Sequence, residues 1–191
     1  MKMNKFISTD CLPANAFRFL VNNAPCPCVC TRRLPPASTK WLPSRPRNVL
    51  IALDDNLDLS QYVMQWAVSN CLLIDDVVTV VSCTKSSSEW AKRRNYLAKL
   101  ASTVQAFQRK HKPQDQPEAS TMVEVLDCGA TGLKPGPLLA ALVQDARPKV
   151  DLMIIGTRGH SELKKLVLGS VSSYILNHVS NCPVAVVKKV R

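Results

Sequence analysis

The sequence predicts an α/β fold: a single doubly wound, Rossmann-like sheet of five parallel strands with helices on both faces. Three observations carry this expectation. Five apolar runs of strand length, Val49–Leu53, Val77–Val81, Thr121–Leu126, Leu152–Ile155 and Val184–Val187, alternate with stretches of helical period. Alternation at that spacing means parallel strands joined by right-handed crossovers, with helices on both sides. Most of the runs are continuously apolar, as in strands buried on both faces. All six glycines lie between Gly129 and Gly169, beside the fourth strand.

Residues 1–47 stand apart from this pattern. They hold seven of the thirteen prolines and eight basic residues against one acid, Asp10. Ala16-Phe-Arg-Phe-Leu-Val21 is the one short amphipathic segment, and no hydrophobic period lasts long enough to make an element. Composition predicts a disordered leader or, being basic and acid-poor, an organelle transit peptide. Cys26, Cys28 and Cys30 are spaced C-x-C-x-C, unlike the C-x-x-C pairs of zinc sites, and read as exposed thiols in a flexible segment.

From residue 48 the texture becomes that of a folded domain. Val49–Leu53 is a central strand ending in turn chemistry at Asp54-Asp55-Asn56. Ser60 or Asp58 is a candidate cap for a first helix, whose stripe is Leu59, Val63, Trp66 (or Ala67) and Asn70, widened by Met64 and Val68. Val77–Val81 is a β-branched second strand. Ser86-Ser-Ser-Glu89 has the form of a capping box. A long helix then lines up Trp90, Leu97, Leu100, Val104 and Phe107, its basic residues reading as a solvated outer face. The loop Pro113–Ala119 ends it. Thr121–Leu126 is a third strand, Asp127–Gly132 a turn, and Pro137–Ala146 a helix with Leu138, Leu139, Leu142 and Val143 inward. The fourth strand, Leu152–Ile155, leads into a glycine turn and a helix over Ser170–Val179, before the last strand, Val184–Val187.

Charge excludes some functions. The net charge of +11 is mostly leader: residues 48–191 carry seventeen basic and thirteen acidic residues, a balance of +4. Nucleic-acid binding calls for a basic face with interleaved aromatics, and aromatics are 5 % of the chain. No apolar run approaches the roughly 18 residues of a membrane-spanning helix. Cys71, Cys83, Cys128 and Cys182 sit in or beside apolar segments as small hydrophobes, which suits a reducing compartment, the cytoplasm or an organelle reached by the leader.

The chemistry is concentrated at Gly156-Thr157-Arg158-Gly159 and Gly169-Ser170. Glycine amides approach an anion closely, and a helix N-terminus adds unpaired donors and a positive dipole end. Arg158, Lys164 and Lys165 put positive charge nearby, and Ser170 can donate to a phosphate or cap its helix. The spacing G-x-x-G-x9-G-S is neither a P-loop nor a dinucleotide fingerprint. Ligands in such sheets bind beyond the carboxyl ends of the strands, where Asp54 and the glycine turn both lie.

With that spacing the body, about residues 47–190, resembles the universal stress protein family, whose ATP-binding branch carries G-x-x-G-x9-G-[ST] between the fourth strand and fourth helix. Gly156, Gly159, Gly169 and Ser170 match it without a gap, and Asn181-Cys182-Pro183-Val-Ala-Val-Val187 resembles the family's last strand. The resemblance implies an adenine nucleotide alpha hydrolase-like sheet with strand order 3-2-1-4-5. It implies ATP, with Mg²⁺ carried by the nucleotide, held by Asp54, Cys83, Gly156, Thr157, Arg158, Gly159, Gly169, Ser170 and Val171. Asp54 would meet the base or ribose and Cys83 the adenine pocket. The family's usual small residue and Ser after the Asp are replaced by Asp55-Asn56, an extra acid that weakens phosphate affinity if it faces the site. The resemblance further implies a stress-response module and a homodimer through an exposed Val184–Val187 edge. Two other readings stand beside it: a slow ATPase or autophosphorylating enzyme with Ser170 or a flap residue as acceptor, and a nucleotide-free interaction domain. The sequence offers little positioned base for catalysis. His160 sits in the flap, where a lone His without a partnered carboxylate is more often an exposed loop residue than a catalyst, and His111 and His178 read as surface or helix residues.

Overall fold

The computed structural model describes residues 28–30, 45–112, 120–157 and 169–189 of the 191-residue chain. Its strands are β1 (Cys28–Cys30), β2 (Asn48–Leu53), β3 (Val77–Thr84), β4 (Thr121–Asp127), β5 (Leu152–Thr157) and β6 (Val184–Lys188). Helices α1 (Leu57–Asn70), α2 (Trp90–His111), the single turn α3 (Cys128–Thr131), α4 (Pro135–Asp145) and α5 (Ser170–His178) connect them. The sheet runs β1-β6-β5-β2-β3-β4. From β2 to β6 neighbouring strands are parallel, which is the expected order 3-2-1-4-5 in the numbering of the parallel strands alone.

Alternation along the strands divides the core into two layers. Val49, Ile51 and Leu53 of β2 and Ile154 of β5 face α1 and α2, meeting Leu59, Val63, Met64 and Trp66 of α1 and Leu97, Leu100 and Val104 of α2. Leu50, Ala52, Met153 and Ile155 face the other way, against Leu139 and Val143 of α4 and Ile175 of α5. Side chains on a strand point alternately to opposite faces, so a continuously apolar strand needs helices on both. The amino end of the sheet is held by ions. Arg47 grips the buried Asp76 in a two-bond fork at 2.9 and 2.6 Å and donates to Cys71 O. Asp151 accepts from Arg45 and from the Asn48 amide.

Four local expectations differ from what is found. Helix α1 is capped by Asn56, whose side-chain oxygen accepts from the Leu59 amide at 2.8 Å, not by Ser60 or Asp58. Ser60 is instead buried, its hydroxyl bonded to Asp54 O. The capping box at Ser86 does not form: Ser87–Glu89 makes a 3-10 turn, Ser86 pairs with the Ser88 hydroxyl, and Ser87 donates to Asp127. Trp90 is 38 % exposed, because it sits at the helix end with its indole N–H on Val125 O and Arg94 over its ring. The Val184–Val187 edge is not bare. Antiparallel β1, from the leader, lies along it with Cys28, Val29 and Cys30 opposite Val186, Ala185 and Val184. Unpaired N–H and C=O groups on an edge recruit any extended segment within reach, and three residues are too few to leave a hydrophobic period in the sequence. The loop Pro113–Ala119 lies outside the described residues.

Candidate functional site

Strand order reverses between β2 and β5: the chain leaves β2 toward β3 and β4, then returns to β5 and β6 on the other side. A crevice forms at such a switch point, beyond the carboxyl ends of the two strands. The register there pairs Ala52 with Ile155, which sets Leu53 level with Gly156 and Asp54 level with Thr157. Asp54, half-buried, accepts from the Asn56 amide at 2.9 Å, and its carbonyl accepts from Ser60 and from Arg93 of α2.

Gly156 and Thr157 belong to β5 itself, opposite Val187 and Lys188, rather than to a turn. A Cβ on Gly156 would lie 2.8 Å from Val63 Cγ2 and 3.3 Å from Leu59 Cγ, so this glycine is where α1 packs directly on the strand. Thr157 points to the opposite face, buried, and its Oγ1 accepts from the Gly169 amide at 3.5 Å. That bond ties the end of β5 to the start of α5.

Gly169 is the N-cap of α5, without a side-chain cap; among the described residues a Cβ there would meet Ser172 Oγ, at 3.5 Å. The first-turn amides of the helix lack intrahelical partners. Ser170 is exposed at this end, whereas Val171 is half-buried against the second layer of the core. Ser172 donates its hydroxyl to Gly169 O, which steadies the turn. Arg158, Gly159, His160, Lys164 and Lys165 lie outside the described residues.

Cys83 is half-buried on β3 and packs with the second layer, with Leu126 and Val171 among the residues on that layer. Burial first, and then the neighbouring Cys128, push its thiol up to about 12, so it stays protonated. Asp55 is exposed, and Asn56 owes its place to capping α1. His111 and His178 each set a ring nitrogen against a carbonyl of their own helix, Phe107 O and Tyr174 O.

Sequence reasoning missed two residues here. Arg93 was assigned to a solvated face, yet its guanidinium reaches Asp54 O at 3.3 Å across 39 positions of chain. Ser82 is 1 % exposed on β3, and its hydroxyl has no hydrogen-bond partner among the described residues. Neither has a local signal in the sequence, because each depends on what the fold brings opposite. Among the described residues no cluster of three His, Cys, Asp or Glu side chains could hold a metal ion, and no helix is long and apolar enough to cross a membrane.

A profile of the Universal stress protein family matches residues 46–188. The chain belongs to the universal stress protein family. Among solved structures, the universal stress protein of Archaeoglobus fulgidus is 21 % identical, with TM-score 0.49, over 75 % of this chain and 95 % of that one. A universal stress protein from Archaeoglobus fulgidus in complex with dAMP is 20 % identical, with TM-score 0.48, over 74 % and 98 %. A hypothetical protein known as a crystal structure is 16 % identical, with TM-score 0.52, over 76 % and 97 %, and shares the fold. No curated protein sequence matches the chain significantly.

Proposed function

We propose that this universal stress protein is an adenine-nucleotide-binding module that takes ATP, with Mg²⁺ on the phosphates, and changes conformation or partners with occupancy. The observation that carries the reading is the meeting of Asp54, Thr157 and the uncapped start of α5 at the switch point of the sheet. The donors fit a polyphosphate: the first-turn amides of α5 after Gly169 and the exposed Ser170 hydroxyl. Arg158 and Gly159 would complete the phosphate side, as the motif spacing implies. Asp54 would take the ribose or base edge, with Cys83 and Val171 as apolar walls and Gly156 setting how closely α1 approaches. Asp55, being exposed, is not expected to repel the phosphates. The free thiols Cys71, Cys83, Cys128 and Cys182 suit a reducing compartment such as the cytoplasm. A homodimer through β6 would need β1 to give up that edge, and the role in stress adaptation would follow from such a change of partner.

The test is calorimetric titration of the purified protein with ATP and AMP, together with Gly169→Ala. Among the described residues the extra methyl meets only an ordinary contact with Ser172 Oγ, so melting temperature should hold while affinity falls at least about tenfold, the weight of about 1.4 kcal/mol. If the wild type takes up neither nucleotide, the module is an interaction domain without one. Release of phosphate over time, or a phosphate bound to Ser170, would make it an enzyme.

A further inference from the structure

The two edges of the sheet differ in chemistry. β4 carries Thr121 and Glu124 and is at least partly exposed along most of its length, whereas Val184–Val187 is uncharged, apolar and buried. An uncharged edge of that kind pairs readily with another chain unless something covers it. Here β1 covers it.

The hydrogen-bonding positions follow from the alternation of the backbone. The Met153 amide donates to Pro183 O at 2.9 Å, so the polar groups of residue 183 face β5. Those of Val184 and Val186 then face the other way, toward β1. Their antiparallel partners are Cys30 and Cys28, which makes these the two close pairs that exchange N–H···O bonds, while the backbone polar groups of Val29 turn away from the sheet. Three residues form a short strand. The fourteen residues from 31 to 44, before the anchored Arg45, could reach roughly 46 Å when extended, so β1 can leave without disturbing β2.

We infer that β1 is a built-in cap: while it is paired, β6 is closed to a second copy of this chain, and its release opens an edge that self-pairs into a two-fold dimer. A second copy fits because antiparallel pairing of identical strands is self-complementary, and Val184–Val187 places no charge opposite itself. This rests on the β6-edge dimer proposed above and is independent of nucleotide.

Light scattering after size exclusion, with amide exchange on the full chain, tests it. The wild type should run at the single-chain mass of 21.1 kDa, with slow exchange at the Cys28 and Cys30 amides. Cys28→Pro with Cys30→Pro removes both donors and should double the mass. Cys28→Ser with Cys30→Ser keeps the amides and should stay single, which separates backbone from thiol. Fast exchange at Cys28 and Cys30, or a wild type already dimeric, overturns the cap. A double-proline chain that keeps its helical dichroism and still runs at 21.1 kDa overturns edge pairing. Should that chain lose its helical signal, Cys30→Pro alone gives the same readout.

Discussion

Replacing Gly156 by alanine separates two reasons for a glycine at the end of β5. If the residue serves a bound phosphate, the methyl should leave the empty protein untouched. The packing says otherwise. The new Cβ would stand 2.8 Å from Val63 Cγ2, about 1 Å inside the 3.5–4.0 Å of a relaxed carbon contact, with Leu59 Cγ next at 3.3 Å. Val63 is 1 % exposed and β-branched on a helix, so it has essentially one rotamer and cannot swing aside. Helix α1 must therefore shift, and overpacking of this kind costs about 1–3 kcal/mol. The lower entropy of the unfolded alanine chain returns about 0.4–1 kcal/mol. A net loss of about 1.5 kcal/mol corresponds to a melting temperature lower by roughly 3–6 °C at this size. The assay is a thermal and urea melt of Gly156→Ala, Val63→Ala and the double variant, without nucleotide. Val63→Ala alone should cost about 2 kcal/mol in lost burial and cavity. It also removes the obstructing methyl, so the double variant should be more stable than the sum of the two by at least about 1 kcal/mol. Strict additivity, or a Gly156→Ala protein as stable as the wild type, would refute the packing argument.

Two further outcomes follow from the electrostatics. Arg47→Met leaves Asp76 buried without its cation, retaining the Leu73 amide as a donor. Burial opposes the Arg47 charge, but the bonds and charge of Asp76 more than offset it and raise the guanidinium pKa. The expected loss is about 3 kcal/mol, the low end for a buried pair because Arg47 keeps some solvent contact, read as a urea midpoint shift. Asp127 has its carboxyl held below the ordinary value of 3.8, by the Ser87 hydroxyl first and then the Ala130 amide, with desolvation opposing them and the Gly129 amide adding the least. A depressed carboxyl contributes stability above its unfolded pKa and loses it as pH falls through the folded one. Melting temperatures of Asp127→Ala and wild type should therefore differ at pH 7 and converge below pH 3.8; a constant gap would contradict this.

The sheet was legible because its signal is local. A run such as Val49–Leu53 states its own double burial, and five such runs at helical intervals leave few topologies. The α1 stripe was equally readable, since Leu59, Val63, Met64 and Ala67 recur at the helical period. What escaped depends on neighbours distant in sequence. Asn56, not Ser60, caps α1 because Ser60 is drawn inward to Asp54 O. Ser86 fails as a cap because Asp127, forty positions on, claims the adjoining Ser87. At the site, spacing singled out Gly156 and Gly169 but gave both the same role. The fold separates them: one has α1 packed against it, and the other caps α5 with, among the described residues, only an ordinary contact to Ser172 Oγ. The pairing of Cys28–Cys30 with β6 could not be read from three residues whose partner lies more than 150 positions away.

The ion pairs at the amino end of the sheet set a limit on where the leader can be severed. Arg45 reaches Asp151, Arg47 reaches Asp76, and the Arg47 carbonyl accepts the Val77 amide. Composition puts the border after residue 47, but Arg45 and Arg47 are already bonded to the domain that follows. A protease that cut before Arg45 would free β1 and spare every one of these anchors. One that cut three residues later would take both guanidinium groups with the leader and leave Asp76 buried without a counter-charge.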